Sequence, residues 1–164
     1  MPSPRPPLRR LTEPAVLVAT GLGLGLLPAM PGTWASLAAL PVAWAIYGGW
    51  GPVGIGVAAL ILFAAGCWAA GRAARTAGVA DPGYIVIDEI AGQMLVLIAA
   101  PRDWRFYGAA FVLFRVFDIW KPFPIGWLDR NVAGGFGIML DDAMAALYAL
   151  LLIALAAGAL GVRP

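Results

Sequence analysis

The chain has 164 residues, 62% of them hydrophobic and only 12% charged, with a net charge of +2. A soluble domain of this length is about half apolar and a quarter charged, so the balance points to lipid as the surrounding solvent and to one membrane-embedded domain over 1–164. The composition also excludes several classes: a small net charge on scattered basic residues does not suit nucleic acid, and the absence of histidine removes any imidazole base, phosphohistidine or histidine–cysteine zinc site. A single cysteine cannot form a disulfide within the chain.

In chain order, residues 1–14 form a basic, proline-rich start carrying Arg5, Arg9 and Arg10. No small-residue cleavage site follows, so it is retained and is expected on the cytoplasmic side. The apolar stretch Ala15–Leu27 is short and broken by Gly21, Gly23 and Gly25, which predicts an interfacial or re-entrant segment. Five helices are then expected, over Ser36–Gly49, Val53–Gly71, Ile85–Ala100, Phe106–Trp120 and Ala143–Gly161, giving an all-α integral membrane bundle. Gly48-Gly49-Trp50-Gly51-Pro52 and Pro101-Arg102-Asp103 read as turns, and Pro122-Phe123-Pro124 ends the fourth helix. Three of the segments fall short of the roughly 20 residues that a full span needs.

Loop charges set the orientation. With the N-terminus inside, eight basic residues collect on the cytoplasmic side and three on the other. Antiparallel alternation then brings Pro31–Ser36, Asp81–Glu89, Arg115–Lys121 and Asp141–Asp142 to one membrane face.

Those segments carry the candidate chemistry. Ionisable residues within spanning segments are costly and usually functional. Asp88, Glu89, Asp118, Asp141 and Asp142, with no histidine nearby, make a hard all-oxygen donor set of the kind that suits Mg²⁺. Acidic residues at helix N-termini also interact favourably with the helix dipole, and Arg115 and Asp118, three apart, can form a structural ion pair. Arg115, Lys121 and Arg130 supply cations for phosphate oxygens, or Lys121 and Arg130 simply anchor the cytoplasmic face. Thr33 and Ser36, before the first helix, offer hydroxyls and free amides for an anion, or plain N-caps. Gly134-Gly135-Phe136-Gly137 either cradles phosphate or turns the chain. Cys67 and Arg72 are one residue too close for the Cys-x5-Arg loop of cysteine phosphatases, and Cys67 reads as a small buried hydrophobe.

Three blocks taken together resemble the phosphatidylglycerophosphatase A family: Asp81-Pro-Gly-Tyr-Ile-Val-Ile-Asp88-Glu89, then Phe114-Arg115-Val-Phe-Asp118-Ile-Trp-Lys121-Pro122-Phe-Pro124-Ile, and Trp127-Leu-Asp129-Arg130-Asn131-Val-Ala-Gly134-Gly135-Phe-Gly137-Ile-Met-Leu-Asp141-Asp142. The resemblance runs from about Gly21 to Tyr148, and departs where Ala35 and Ala146 replace glycines that the family favours. It implies Mg²⁺-dependent hydrolysis of phosphatidylglycerol phosphate to phosphatidylglycerol and phosphate, in a bacterial inner membrane and among membrane lipids. On chemical grounds the five carboxylates are candidates to hold metal and carry catalysis. Thr33, Ser36, Arg115, Lys121 and Arg130 are candidates to bind the substrate. Metal-activated water and an aspartyl-phosphate intermediate both remain open. Two competing readings are a small ion or proton transporter, which favours acids at mid-span, and a phosphotransferase using a nucleotide-activated alcohol, whose Asp-Gly-led run of aspartates is missing here.

Overall fold

The computed structural model describes residues 12–164, so Arg5, Arg9 and Arg10 lie outside the described residues. Within them the chain is all-helical, without a strand: α1 (Pro14–Ala19), α2 (Pro31–Ala77), α3 (Ile87–Leu97), α4 (Trp104–Trp120), α5 (Ile125–Asn131) and α6 (Gly134–Ala159), with a single 3-10 turn at Leu24–Leu26. Two of these, α2 and α6, are long and apolar enough to cross a membrane.

The stretch expected to be interfacial or re-entrant folds tightly. α1 has six residues, a rise of about 9 Å, which is too short to span. The chain then reverses through Gly21, Leu22 and Gly23, all at positive φ. Val86 N–H donates to the Ala19 carbonyl at 2.8 Å, tying this segment to the approach of α3.

The first two expected helices run as one element, because helical geometry is interrupted only at Gly51 (φ 60°, ψ −160°), with Pro52 starting the second arm. The two arms form a hairpin. Ala39 and Leu62 line one apolar cavity, although a straight helix would hold them about 34 Å apart. α2 also starts earlier than expected, at Pro31, behind Met30 in a left-handed conformation (φ 49°). Thr33 and Ser36 therefore sit inside its first turns and are not N-caps.

α6 begins at Gly134, nine residues before the expected Ala143. Gly135 lets its backbone lie against the Cys67 carbonyl and Gly71, where a Cβ would collide. The helix consequently extends upstream, and Asp141 and Asp142 lie about two turns inside it, away from the dipole's end. In α4, Asp103 caps the start by accepting from the Arg105 amide at 2.7 Å. Lys121 (φ 46°) ends it in the left-handed conformation, with Pro122 behind it.

The helices meet through small residues. Ala39, Ala43, Ala59, Ala110, Ala145 and Ala149 are buried around Ile55, Met94, Leu97, Phe114 and Ile153. Gly92 receives the Phe114 ring and Gly66 the Met139 side chain. Such seams bring backbones close enough for dispersion to hold helices together where lipid removes the hydrophobic drive. This packing aligns the start of α2, the start of α3, the end of α4, α5 and the early turns of α6 at one end of the molecule.

Candidate active site

At that end lies a polar cavity of about 460 Å³. All five carboxylates expected to act, Asp88, Glu89, Asp118, Asp141 and Asp142, line it, as do Thr33, Arg115, Lys121 and Arg130. Ser36 does not: it is fully buried and its hydroxyl donates to the Gly32 carbonyl at 3.0 Å. A helical serine bonding back along its own helix has spent its donor.

The carboxylates separate into three groups, of which only the pairing of Asp118 with Arg115 is foreseen by the sequence. Asp88 and Glu89 stand in the first turn of α3. Asp142 reaches them from α6, and one oxygen of each of the three lies within 4.8 Å of the others. Asp88 Oδ1, Glu89 Oε2 and Asp142 Oδ2 are buried and have no hydrogen-bond donor. Buried carboxylates without donors are strongly unfavourable unless a cation compensates them. Gly32 makes this crowding possible, since any Cβ there would strike the Glu89 carboxylate.

Asp118 is engaged differently. Arg115 Nη1 lies 2.6 Å from Asp118 Oδ2 and 3.7 Å from Glu89 Oε1, so one guanidinium faces both. Arg115 Nε and Nη1 are buried and make no hydrogen bond of good geometry, although Nη1 is held in ion-pair contact with both carboxylates. Asp141 belongs to a third group. Lys121 Nζ donates to Asp141 Oδ2 at 2.6 Å and to Asp129 Oδ1 at 2.8 Å, joining α5 to α6. Burial alone would lower the lysine's pKa, but these two charged hydrogen bonds outweigh it and hold the ammonium above the usual lysine range. Lys121 therefore stays cationic throughout the neutral range.

Three cavity residues escape the sequence reading: Asp81, Asp129 and Asn131. Asp81 opens the first motif block and precedes α3, but is not among the five carboxylates that the sequence singles out. Asp129 reads as a solvated neighbour of Arg130, yet it pairs with Lys121, eight residues earlier across a turn. Asn131 Nδ2 donates to the Trp127 carbonyl at 2.7 Å, closing α5. The glycine cluster serves mainly helix contact: Gly135 abuts α2, a Cβ on Gly137 would strike the Val132 carbonyl, and Gly134 and Gly137 also border the cavity.

A trio of donor-free carboxylate oxygens fits a hard divalent cation, with Arg115 and Lys121 beside it as fixed positive charges. Comparison with known proteins bears on what such a site does. The family model described as phosphatidylglycerophosphatase A matches residues 17–157. A phosphatidylglycerophosphatase A of Escherichia coli (strain K12) is 40% identical over 144 residues, covering 83% of this chain and 79% of the relative. Another protein of that name, from Haemophilus influenzae, is 40% identical over 150 residues, covering 90% and 92%. A Bacteroides thetaiotaomicron relative, provisionally named a phosphatidylinositol-3-phosphatase, is 39% identical over 153 residues, covering 89% and 95%. No solved structure matches significantly.

Proposed function

Because the chain belongs to the phosphatidylglycerophosphatase A family and is thereby a phosphatase, we propose that it hydrolyses phosphatidylglycerol phosphate to phosphatidylglycerol and inorganic phosphate, with Mg²⁺, at the cytoplasmic face of a bacterial inner membrane. The observation that carries this reading is the donor-free trio Asp88, Glu89 and Asp142, with Arg115 alongside. Its position at one end of the bundle favours surface chemistry over an ion path, which needs acids along the span.

Asp88, Glu89 and Asp142 would hold Mg²⁺, which when bound supplies charge neutralisation and Lewis acidity. Arg115 orients the phosphate through its guanidinium, a planar fork that matches phosphate oxygens. Its charge counters the negative charge that builds on those oxygens during transfer. Thr33, on the cavity wall, offers a hydroxyl to the same group. Lys121 holds Asp141 and Asp129 in place and adds positive potential. Water attacks phosphorus in line and the bond to the glycerol oxygen breaks, that oxygen taking up the proton released from the water as it leaves. Asp118, outside the trio, is the carboxylate proposed to take the water's proton.

The membrane placement rests on charge and aromatic patterning. Trp50 and Trp104 are exposed at the end away from the cavity, and Arg102 stacks over Trp44 at 4.9 Å there. Trp120, Phe123 and Trp127 are exposed near the cavity. Two aromatic girdles of this kind suit the two interfaces of a bilayer, with the bundle spanning between them. The test is phosphate release by purified protein from phosphatidylglycerol phosphate, with and without Mg²⁺, beside phosphatidylinositol 3-phosphate. Mg²⁺-dependent release from the first substrate is expected. No release from it, or faster release from the second, would overturn the substrate assignment.

A further inference from the structure

An apolar groove of about 580 Å³ runs along the outward face of α4 and adjoins the polar cavity through shared lining residues. Its floor is the stripe Val112, Val116 and Ile119, spaced four and three residues apart on one helical face. All three are exposed, at 56%, 47% and 68%, so no other helix among the described residues covers the stripe. Met30, Thr33 and Arg115 line both the groove and the cavity. Arg115 is therefore a boundary residue: its stem borders apolar surface, and its guanidinium faces Glu89 and Asp118.

Building on the phosphatase reading above, we infer that this groove receives an acyl chain of the lipid whose phosphate enters the cavity, making α4 the side by which substrate approaches. A ligand that bridges the two spaces must be apolar at one end and anionic at the other, joined within the width of one arginine side chain. That is the form of a phosphomonoester lipid. A second apolar cavity, bordered by Val18, Leu22, Val42 and Leu62, shares no lining residue with the polar one. A chain leaving the bilayer for an apolar groove gains no hydrophobic free energy, so the groove acts by alignment. It fixes the depth and direction at which the headgroup meets Arg115.

The test uses the intact protein in mixed micelles and two readouts. First, phosphatidylglycerol phosphate with a diazirine in one acyl chain is irradiated during turnover. Adducts are expected between Val112 and Trp120, suppressed by unlabelled substrate. Adducts centred on Val18–Leu24, on the outward α6 residues Leu151 and Leu155, or insensitive to competitor would overturn the inference. Secondly, Val116→Trp fills the groove at an exposed position. It is expected to lower the ratio of kcat/KM for dioleoyl over dihexanoyl substrate by about tenfold or more, while Leu155→Trp keeps the parent ratio. An unchanged ratio in both Val112→Trp and Val116→Trp would also overturn it. Phosphate release by the parent protein is read in the same samples. Its absence there counts against the phosphatase reading, whereas adduct position reports on the groove alone.

Discussion

Asp88, Glu89 and Asp142 crowd three negative charges into one small volume, so neutralising one removes repulsion along with a ligand oxygen. Asp142→Asn is therefore expected to melt at a higher temperature than the parent in chelator, and to lose the stabilisation that Mg²⁺ gives the parent. A ligand present at a hundred times its Kd contributes about 2.7 kcal/mol, well within reach of melting curves. A variant that melts lower in chelator and still responds to Mg²⁺ would sink the metal assignment. Arg115 supports a second expectation, because it faces Glu89 and Asp118 together. Lysine keeps the charge and loses the fork, so Arg115→Lys should reduce kcat on the order of 10²-fold, the scale for loss of one transition-state donor. If the Arg115–Asp118 contact were only a structural pair, Arg115→Gln with Asp118→Asn would restore activity lost in either single variant; a double-mutant cycle on kcat is expected to show no recovery. The acidic positions are legible in the sequence because charge is rare in apolar segments. The Arg115–Asp118 contact is legible too, from its three-residue spacing, but the donor-free trio and the lysine bridge are not. They depend on the left-handed backbone of Lys121 and on how far α6 extends, both fixed by tertiary contact.

Among the elements, the clearest departures from the sequence reading occur at glycines. Gly134, Gly135 and Gly137 look like a loop by propensity, yet packing carries α6 through them, because the gain from close contact with α2 exceeds the roughly 1 kcal/mol cost of glycine in a helix. Gly135→Val should therefore destabilise the protein by about 1–3 kcal/mol or more, the scale of overpacking, since its Cβ meets the Cys67 carbonyl and Gly71 backbone. Gly108→Ala in α4 meets nothing within 4 Å and should be stabilising by about 0.5–1 kcal/mol. Denaturation of both variants in one detergent separates the effects, and equal stabilities would contradict the contact. The hairpin in α2 is legible from Gly48-Gly49-Trp50-Gly51-Pro52, although the single residue that breaks the helix is Gly51. α5 is hidden in the sequence because seven residues between proline and glycine carry no periodic signal.

For the whole molecule, orientation is the first question. In the proposed orientation the charge asymmetry turns the cavity to the cytoplasm, while the aromatic girdles mark both interfaces and do not choose between them. In a Cys67→Ala background, a membrane-impermeant thiol reagent applied to intact cells is expected to label Gly49→Cys and Asp103→Cys, and to spare Val79→Cys and Phe123→Cys. The reverse pattern would turn the protein over. The bundle's thickness has its own consequence. α3 holds only 11 residues, a rise of about 16 Å, with the acidic trio at its start and Arg102 with Trp104 shortly past its end. A typical bilayer interior is about 30 Å thick. Because α3 is enclosed by α2, α4 and α6, lipid touches the longer helices around it, and the trio at its start is reached only if the headgroup sinks or the surrounding membrane thins. Either way the lipid is already displaced from its resting depth before reaction, so reconstitution into thin bilayers should quicken turnover and thick ones should slow it.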